Sequence, residues 1–274
     1  MLSKYRVLII GAGGQGSEAD QPGSGNEFKI ISFGHAFSLH PGFTLCGFID
    51  KDTTKAQKAS DIWKSQYASN VICDTAMKNI DVAIVAIPDD KHFDILKQLA
   101  EYPLKLVVCE KPICTDLNEA REIVALYKAK NIALMVDYTR RFIPHYWKLY
   151  GDTPIYGLCQ FNRGWLHTGT HAIDFFNMIG CKNYDIHQVN ADFRVWNIDV
   201  IYPRWLFKEI RIGNQPIPDY FNSHLEHLAE NANNFLQGKE PLKCTGEMAL
   251  KSLETCFELM KGSDKKQCQS EKKN

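Results

Sequence analysis

Two hydrophobic periods alternate along the first half of the chain. Short, nearly continuous apolar runs fall at residues 6–10, 43–49 (FTLCGFI), 81–87 (DVAIVAI), 104–109 (LKLVVC) and 132–136 (IALMV), with a weaker run at 71–73. Runs of this length, stopped by glycine, proline or charge, predict strands buried on both faces. Between them the apolar residues change to helical spacing: Ala56, Ala59 and Ile62 within 53–66, Phe93, Leu96 and Leu99 within 91–100, and Leu117, Ala120, Ile123, Val124 and Tyr127 within 116–130. Strand and amphipathic helix in alternation predict a parallel sheet covered on both faces.

Beyond Arg141 the pattern changes. Residues 155–161, 189–195 and 205–212 read as strands, 167–179 as a loop running into a helix, and 223–236 as a late amphipathic helix. The expected fold class is α/β: a doubly wound parallel sheet over residues 1–142, then a reduced α+β domain with an antiparallel sheet over 143–262, then a polar tail over 263–274. Only 57 residues separate Gly180 from Gly238, which is why the second domain is read as reduced.

Composition narrows the function classes. Lys+Arg and Asp+Glu are equal at 32 each, so no net charge draws the chain to nucleic acid or to an anionic membrane. No apolar run approaches the ~20 residues of a membrane helix. The apolar stretch near Met1 is too short for a signal peptide, and the chain reads as cytoplasmic. The nine cysteines stand singly, with no Cys-x-x-Cys pair. This argues against zinc ribbons and thioredoxin chemistry and in favour of free thiols.

The first apolar run ends in Gly11-Ala12-Gly13-Gly14-Gln15-Gly16. After a strand, G-x-G-x-x-G is the dinucleotide fingerprint of a Rossmann domain. Gly11 permits the turn, Gly13 lets the backbone approach a pyrophosphate, and Gly16 lets the next helix pack close. The phosphates would rest on N–H groups at a helix N-terminus. Asp50 closes the second strand and would accept hydrogen bonds from ribose hydroxyls, favouring NAD, while Lys51 beside it leaves NADP open. The alternative is a flavodoxin-like turn in which Asp50 caps a helix. Asp50 lies 34 residues after Gly16, where about 20 are usual, a surplus of about 14. Residues 17–28 (SEADQPGSGNEF) therefore read as a loop inserted before the first helix, either a lid over the site or a solvated excursion.

Five further motifs stand along the chain. Val107-Val108-Cys109-Glu110-Lys111-Pro112 resembles the Glu-Lys-Pro signature of the Gfo/Idh/MocA oxidoreductases, the glucose–fructose oxidoreductase and inositol dehydrogenase family. The apolar run ending Ile87-Pro88, with His92 downstream, resembles the strand, proline and histidine of that family. Tyr138-Thr139-Arg140-Arg141-Phe142-Ile143-Pro144 resembles its Y-x-R-R-F-x-P element, and Gly169-Thr170-His171-Ala172-Ile173-Asp174 its G-x-H-x-x-D helix start. Phe235-Leu236-Gln237-Gly238 resembles a late F-L-x-G. The likeness extends over nearly the whole chain.

The resemblance implies a hydride-transferring enzyme. Ile87, Pro88, His92, Glu110 and Lys111 would join the glycine loop and Asp50 around the cofactor. Lys111 would hydrogen-bond the substrate oxygen and stabilise developing alkoxide. His171 would be the general base or acid. Tyr138, Arg140 and Arg141 would either approach the substrate or join the two domains. Four residues before His171 the family commonly has Asp, whereas this chain has His167. An imidazole can orient His171 but does not balance the charge of Lys111, so Asp174 is the expected source of that charge. His167, His171 and Asp174 would share a helix face able to hold zinc. Gly169 interrupts that face, however, and no Glu follows His167 as in a metalloprotease, so no metal is expected.

The expected function is NAD(P)-dependent hydride transfer to or from a secondary hydroxyl or carbonyl of a sugar, sugar nucleotide or polyol. Self-association is expected through the second-domain sheet. The alternative is a dinucleotide-binding sensor without turnover.

Overall fold

A computed structural model describes residues 4–27, 29–147, 157–161, 165–180, 207–212, 215–216 and 224–270. Six strands form one parallel sheet: β1 (Tyr5–Ile10), β2 (Phe43–Ile49), β3 (Tyr67–Ser69), β4 (Val82–Val85), β5 (Leu106–Glu110) and β6 (Ala133–Asp137). Their order is β3-β2-β1-β4-β5-β6. This is the Rossmann order, and it differs from the flavodoxin order. The chain reverses direction across the sheet between β1 and β4, and such folds hold ligands beyond the carboxyl ends of the strands at that point.

The strands form where the apolar runs predict them, with one exception. The third was expected at 71–73 but lies at Tyr67–Ser69, paired with Gly47, Phe48 and Ile49 of β2. A Cβ at position 47 would stand 2.1 Å from the Tyr67 carbonyl oxygen, so glycine is what lets these strands close. Val71, by contrast, is exposed.

The helices α1 (Phe33–Leu39), α2 (Thr53–Ile62), α3 (Asp74–Met77), α4 (His92–Leu99) and α5 (Leu117–Ala129) connect the strands. Asp52 caps α2 by accepting from the Thr54 and Lys55 N–H groups, and Asp116 caps α5 by accepting from Asn118 and Glu119. Each satisfies donors that an α-helix leaves without partners. Helix α2 ends at Ile62, short of the expected residue 66, and Lys64 beyond it takes a left-handed φ of 55°.

The surplus between Gly16 and Asp50 has a specific geometry. A first turn starts in the glycine loop, where Ser17 and Glu18 both donate to the Gly13 carbonyl. The Phe33 N–H then bonds the Gln15 carbonyl, and the Gly34 N–H bonds that of Gly16. In an uninterrupted helix those bonds would come from residues 19 and 20. Phe33 therefore takes the helical place of residue 19, and 14 residues, 19–32, are spliced into one helix. Asp20 pins the junction: its Oδ2 accepts from the Ile31 and Ser32 N–H groups and lies 3.1 Å from His35 Nδ1. Gly34 sits beneath Trp63, where a Cβ would stand 2.7 Å from the indole.

A chain lacking residues 19–32 joins Glu18 directly to Phe33. It is expected to fold with the same sheet and to keep dinucleotide affinity, read by thermal melting and by titration with NAD. Loss of the cooperative melt would show that the excursion is part of the fold.

The chain divides into two compact units. The first comprises Met1–Ile143 and Tyr220–Leu250, the second Pro144–Asp219 and Lys251–Asn274. The segment 220–250, assigned from sequence to the second domain, thus returns to the first. Its helix His224–Leu236 packs on α1, and the Leu236 carbonyl accepts from the Tyr5 hydroxyl. No linear boundary expresses such a return. In the second unit Gly157–Phe161 pairs antiparallel with Phe207–Ile212, which pairs with Gln215–Pro216. The strand expected at 189–195 lies outside the described residues. The final helix runs from Gly246 to Ser270, so residues 263–270, expected as a tail, continue a helix. Among the described residues, no helix is long and apolar enough to cross a membrane.

Candidate functional site

The glycine loop is built by close approach at two positions and by open space at two others. Gly11 has φ +100°, and a Cβ there would stand 2.2 Å from the Ala86 carbonyl oxygen just beyond β4. A Cβ on Gly16 would stand 2.0 Å from the Gly11 carbonyl oxygen. Gly13 and Gly14 differ, since a Cβ on either would meet nothing within 4 Å. The loop is therefore packed on its sheet side and open on its outer side. Ala12 is buried behind it, and Gln15 is exposed.

The expected helix N-terminus is corrected in one respect. The first N–H groups of α1 are already taken, by the Gln15 and Gly16 carbonyls and, at His35, by Ser32 Oγ. Among the described residues the N–H groups of Gly13, Gly14 and Gln15 bond no backbone carbonyl. The anion-seeking donors are thus those of the loop itself, a concave arrangement of successive N–H groups.

Asp50 stands at the end of β2. Its Oδ2 accepts from the Ala12 N–H at 2.8 Å and its Oδ1 from the Asp52 N–H at 2.9 Å. It does not cap α2, a task that falls to Asp52. A carboxylate offers about four lone-pair sites, so both oxygens keep acceptor capacity. Lys51 beside it is exposed.

At the ends of β4 and β5, His92 has no exposed surface. Its Nδ1 lies 2.8 Å from the Pro112 carbonyl oxygen and its Nε2 3.0 Å from that of Ile87. Burial pulls its pKa below the ordinary histidine range. Expected beside a cofactor, His92 instead lies buried between the loops that carry Ile87, the exposed Pro88 and Lys111, its single N–H donating to one of the two carbonyls. A ring with no accessible surface touches no ligand.

Lys111 follows the last residue of β5, and the Lys111–Pro112 peptide is cis. Burial lowers the pKa of its ammonium, against the opposing pull of Glu110, Asp89 and Asp137. Glu110 closes β5 opposite Asp137, the last residue of β6. Burial, then the charge of Asp137, raises the Glu110 pKa to about 8. His224 Nε2 lies 3.4 Å from Asp137 Oδ2. Sequence reasoning missed both Asp137 and His224. Asp137 adjoins the Tyr138 motif and could have been questioned, but His224 lies 87 residues further on and carries no local signal.

Because the folded-state pKa of Glu110 exceeds its reference of 4.5, the folded state binds this proton more tightly than the unfolded one. The stability this contributes is full below 4.5 and is lost as pH rises through about 8. Wild type is expected to lose melting temperature across that window more steeply than Glu110→Gln. Parallel curves from paired thermal scans would contradict this.

Tyr138 and Arg141, expected to approach a substrate, are buried. Arg141 Nη1 reaches the Lys243 carbonyl at 3.4 Å, joining the turn Thr139–Phe142 to the returning segment. In the second unit a π-helical turn, Trp165–Gly169, leads into the α-helix Thr170–Met178. The wider turn interrupts a regular helix between His167 and His171, at the place where Gly169 makes one doubtful. His167 is exposed, whereas His171 and Asp174 are buried. Asp174 Oδ1 accepts from the Ser252 hydroxyl at 2.9 Å. Spacing of three on an α-helix keeps His171 and Asp174 on one side.

Residues 5–138 match the family described as the Gfo/Idh/MocA oxidoreductases with an NAD-binding Rossmann fold. The Rossmann part of the chain, residues 5–138, thus belongs with the Gfo/Idh/MocA oxidoreductases. Inositol 2-dehydrogenase of Rhizobium meliloti is 34% identical over 71 residues, 26% of this chain and 21% of that protein. Matches to curated relatives span less than half of those proteins' own lengths. UDP-N-acetylglucosamine 3-dehydrogenase of Acidithiobacillus ferrooxidans is similar in fold, with a TM-score of 0.67 at 13% identity, over 94% of this chain and 97% of the other. An oxidoreductase of Agrobacterium radiobacter, solved with NAD+, L-tartaric acid and magnesium, has a TM-score of 0.68 at 12% identity over 93% and 95%. The NAD-binding Rossmann sheet described for that family is thus present in this chain, with six parallel strands.

Proposed function

We propose that this protein transfers hydride between NAD and a secondary hydroxyl or carbonyl of a sugar, sugar nucleotide or polyol. The observation that carries the reading is Lys111, a half-buried ammonium at the carboxyl edge of β5, two strands from β1 and its glycine loop. Family relatives named for inositol and for a sugar nucleotide support the substrate class.

The residues fit the cofactor. The open outer side of Gly13 and Gly14 leaves room for a pyrophosphate against the loop N–H groups. Asp50, fixed by two backbone donors, keeps acceptors for ribose hydroxyls. When bound, the nicotinamide supplies the hydride acceptor or donor. Lys111 donates a hydrogen bond to the substrate oxygen and stabilises the charge that grows there. His171 takes the hydroxyl proton during oxidation and returns it during reduction, and Asp174 on the same helix orients it. His92 holds Lys111 in place through the Pro112 carbonyl.

The test is a screen of sugars and polyols with NAD+ and NADP+, read by absorbance of the reduced nicotinamide. Turnover that depends on Lys111 is the expected result. Dinucleotide binding without turnover, unaffected by Lys111→Ala, would instead favour a sensor. A chain that binds no dinucleotide would sink both readings.

A further inference from the structure

The ends of β5 and β6 hold a cluster that hydride transfer does not require. Glu110 and Asp137 are partners on the last rung between these strands. Asp137 is 2% exposed, and its Oδ1 has no hydrogen-bond partner among the described residues. Its other oxygen, Oδ2, faces His224 Nε2. A buried carboxylate oxygen without a donor is unfavourable. Two adjacent carboxylates, both ionised, are more so.

A single proton relieves both problems. We propose that Glu110 and Asp137 share one proton, the Glu110 carboxyl serving as O–H donor toward Asp137, and that the pair acts as positioning residues setting the charge on Lys111. The pair then presents one negative charge rather than two. His224 faces it from the helix His224–Leu236, and Lys111 from the adjoining turn.

The surrounding charges are consistent with this. Burial and the Asp137 charge raise Glu110, while Lys111 and His224 pull it down. Lys111 in turn senses Glu110, Asp137 and, from the turn after β4, Asp89. Cys109 on β5 also senses Glu110, and burial keeps its thiol protonated. Arg141, beyond β6, is engaged with the Lys243 carbonyl. Loss of the shared proton places a second negative charge beside Lys111 and holds it as ammonium. Retention of the proton eases Lys111 toward the neutral amine.

The consequence for turnover rests on the role proposed for Lys111, but the shared proton does not. The experiment therefore uses the full chain without substrate. Carbon-13 at the glutamate side-chain carboxyl is followed by NMR through a pH titration, with Glu110→Gln identifying the signal. The expected midpoint is near 8, falling toward the ordinary carboxylate range in Asp137→Asn. Lys111 is then acylated competitively with acetic anhydride and read by peptide mass. In Glu110→Gln, which holds the pair at one negative charge at every pH, Lys111 is expected to react as in wild type at about pH 6 and about tenfold faster above pH 8, the change that follows when its pKa is lower by about one unit. Should Asp137→Asn not fold, His224→Gln serves instead and is expected to raise the Glu110 midpoint.

A wild-type Glu110 that titrates in the ordinary range overturns the proposal. So does a high midpoint that neither Asp137→Asn nor His224→Gln moves, or a Lys111 reactivity that follows the same pH course in wild type and Glu110→Gln. If both signatures appear in a protein inert toward every hydroxyl tested, the catalytic reading fails and the carboxyl pair stands.

Discussion

Lys111→Ala is expected to lower kcat/KM by a factor of about 10²–10³ while leaving the dissociation constant for NAD within about threefold, because the ammonium acts on charge that develops in the transition state. On the proposed reading the loop N–H groups and Asp50 would hold most of the dinucleotide, so its affinity would survive the loss of the one group Lys111 brings near it. Lys111→Met is the sharper variant because it keeps most of the apolar stem and removes the ammonium with its donors. Equal losses in kcat and kcat/KM would indicate an interaction made in the transition state. A rise in KM alone would reduce Lys111 to a substrate-binding group. Steady-state kinetics on the substrate found by the screen, with NAD titrated separately, distinguish these outcomes.

The second large effect concerns the fold itself. Gly11→Ala is expected to destabilise the protein by about 2–5 kcal/mol, combining a left-handed φ that alanine disfavours with overpacking against a carbonyl. The forced contact is backbone against backbone, a Cβ 2.2 Å from the Ala86 oxygen, and neither side can rotate away. For a chain of this size that corresponds to a drop of roughly 5–15 °C in melting temperature. Gly14→Ala in the same motif is expected to stay within about 0.5 kcal/mol, because its Cβ meets nothing and its φ is not left-handed. Gly13→Ala is expected to keep its melting temperature and lose dinucleotide affinity, since the new methyl enters the space proposed for the pyrophosphate. Equal melting losses across all three glycines would mean that the loop is uniformly packed.

Much of the first unit was legible because its signals are local. Val82–Val85 and Leu106–Cys109 are apolar on both faces, and only a central parallel strand uses such a run. The glycine motif and Asp50 could be read from their place after strands. Val71 misled because an apolar residue in a surface turn looks like one in a strand, whereas the close fit of Gly47 against Tyr67, which does define β3, is a contact across the sheet. The surplus before Asp50 was countable, and 14 is also the offset at which Phe33 rejoins the Gln15 carbonyl. Where the chain leaves and re-enters the helix was not countable, because Asp20 closes the junction with bonds to residues 11, 12 and 15 positions away.

The sequence by itself determined the parallel sheet, the dinucleotide loop, the acidic residue that ends β2 and the lysine that ends β5. Each follows from hydrophobic period or from backbone chemistry within a few residues. Tertiary structure alone decided that 220–250 belongs with the first unit, that His92 is a buried bridge between backbone carbonyls, and that His224 meets Asp137 beside Glu110. Those outcomes depend on burial and on charges brought together over more than 80 residues. Desolvation and Coulomb energy are properties of that assembled space and have no counterpart in local sequence.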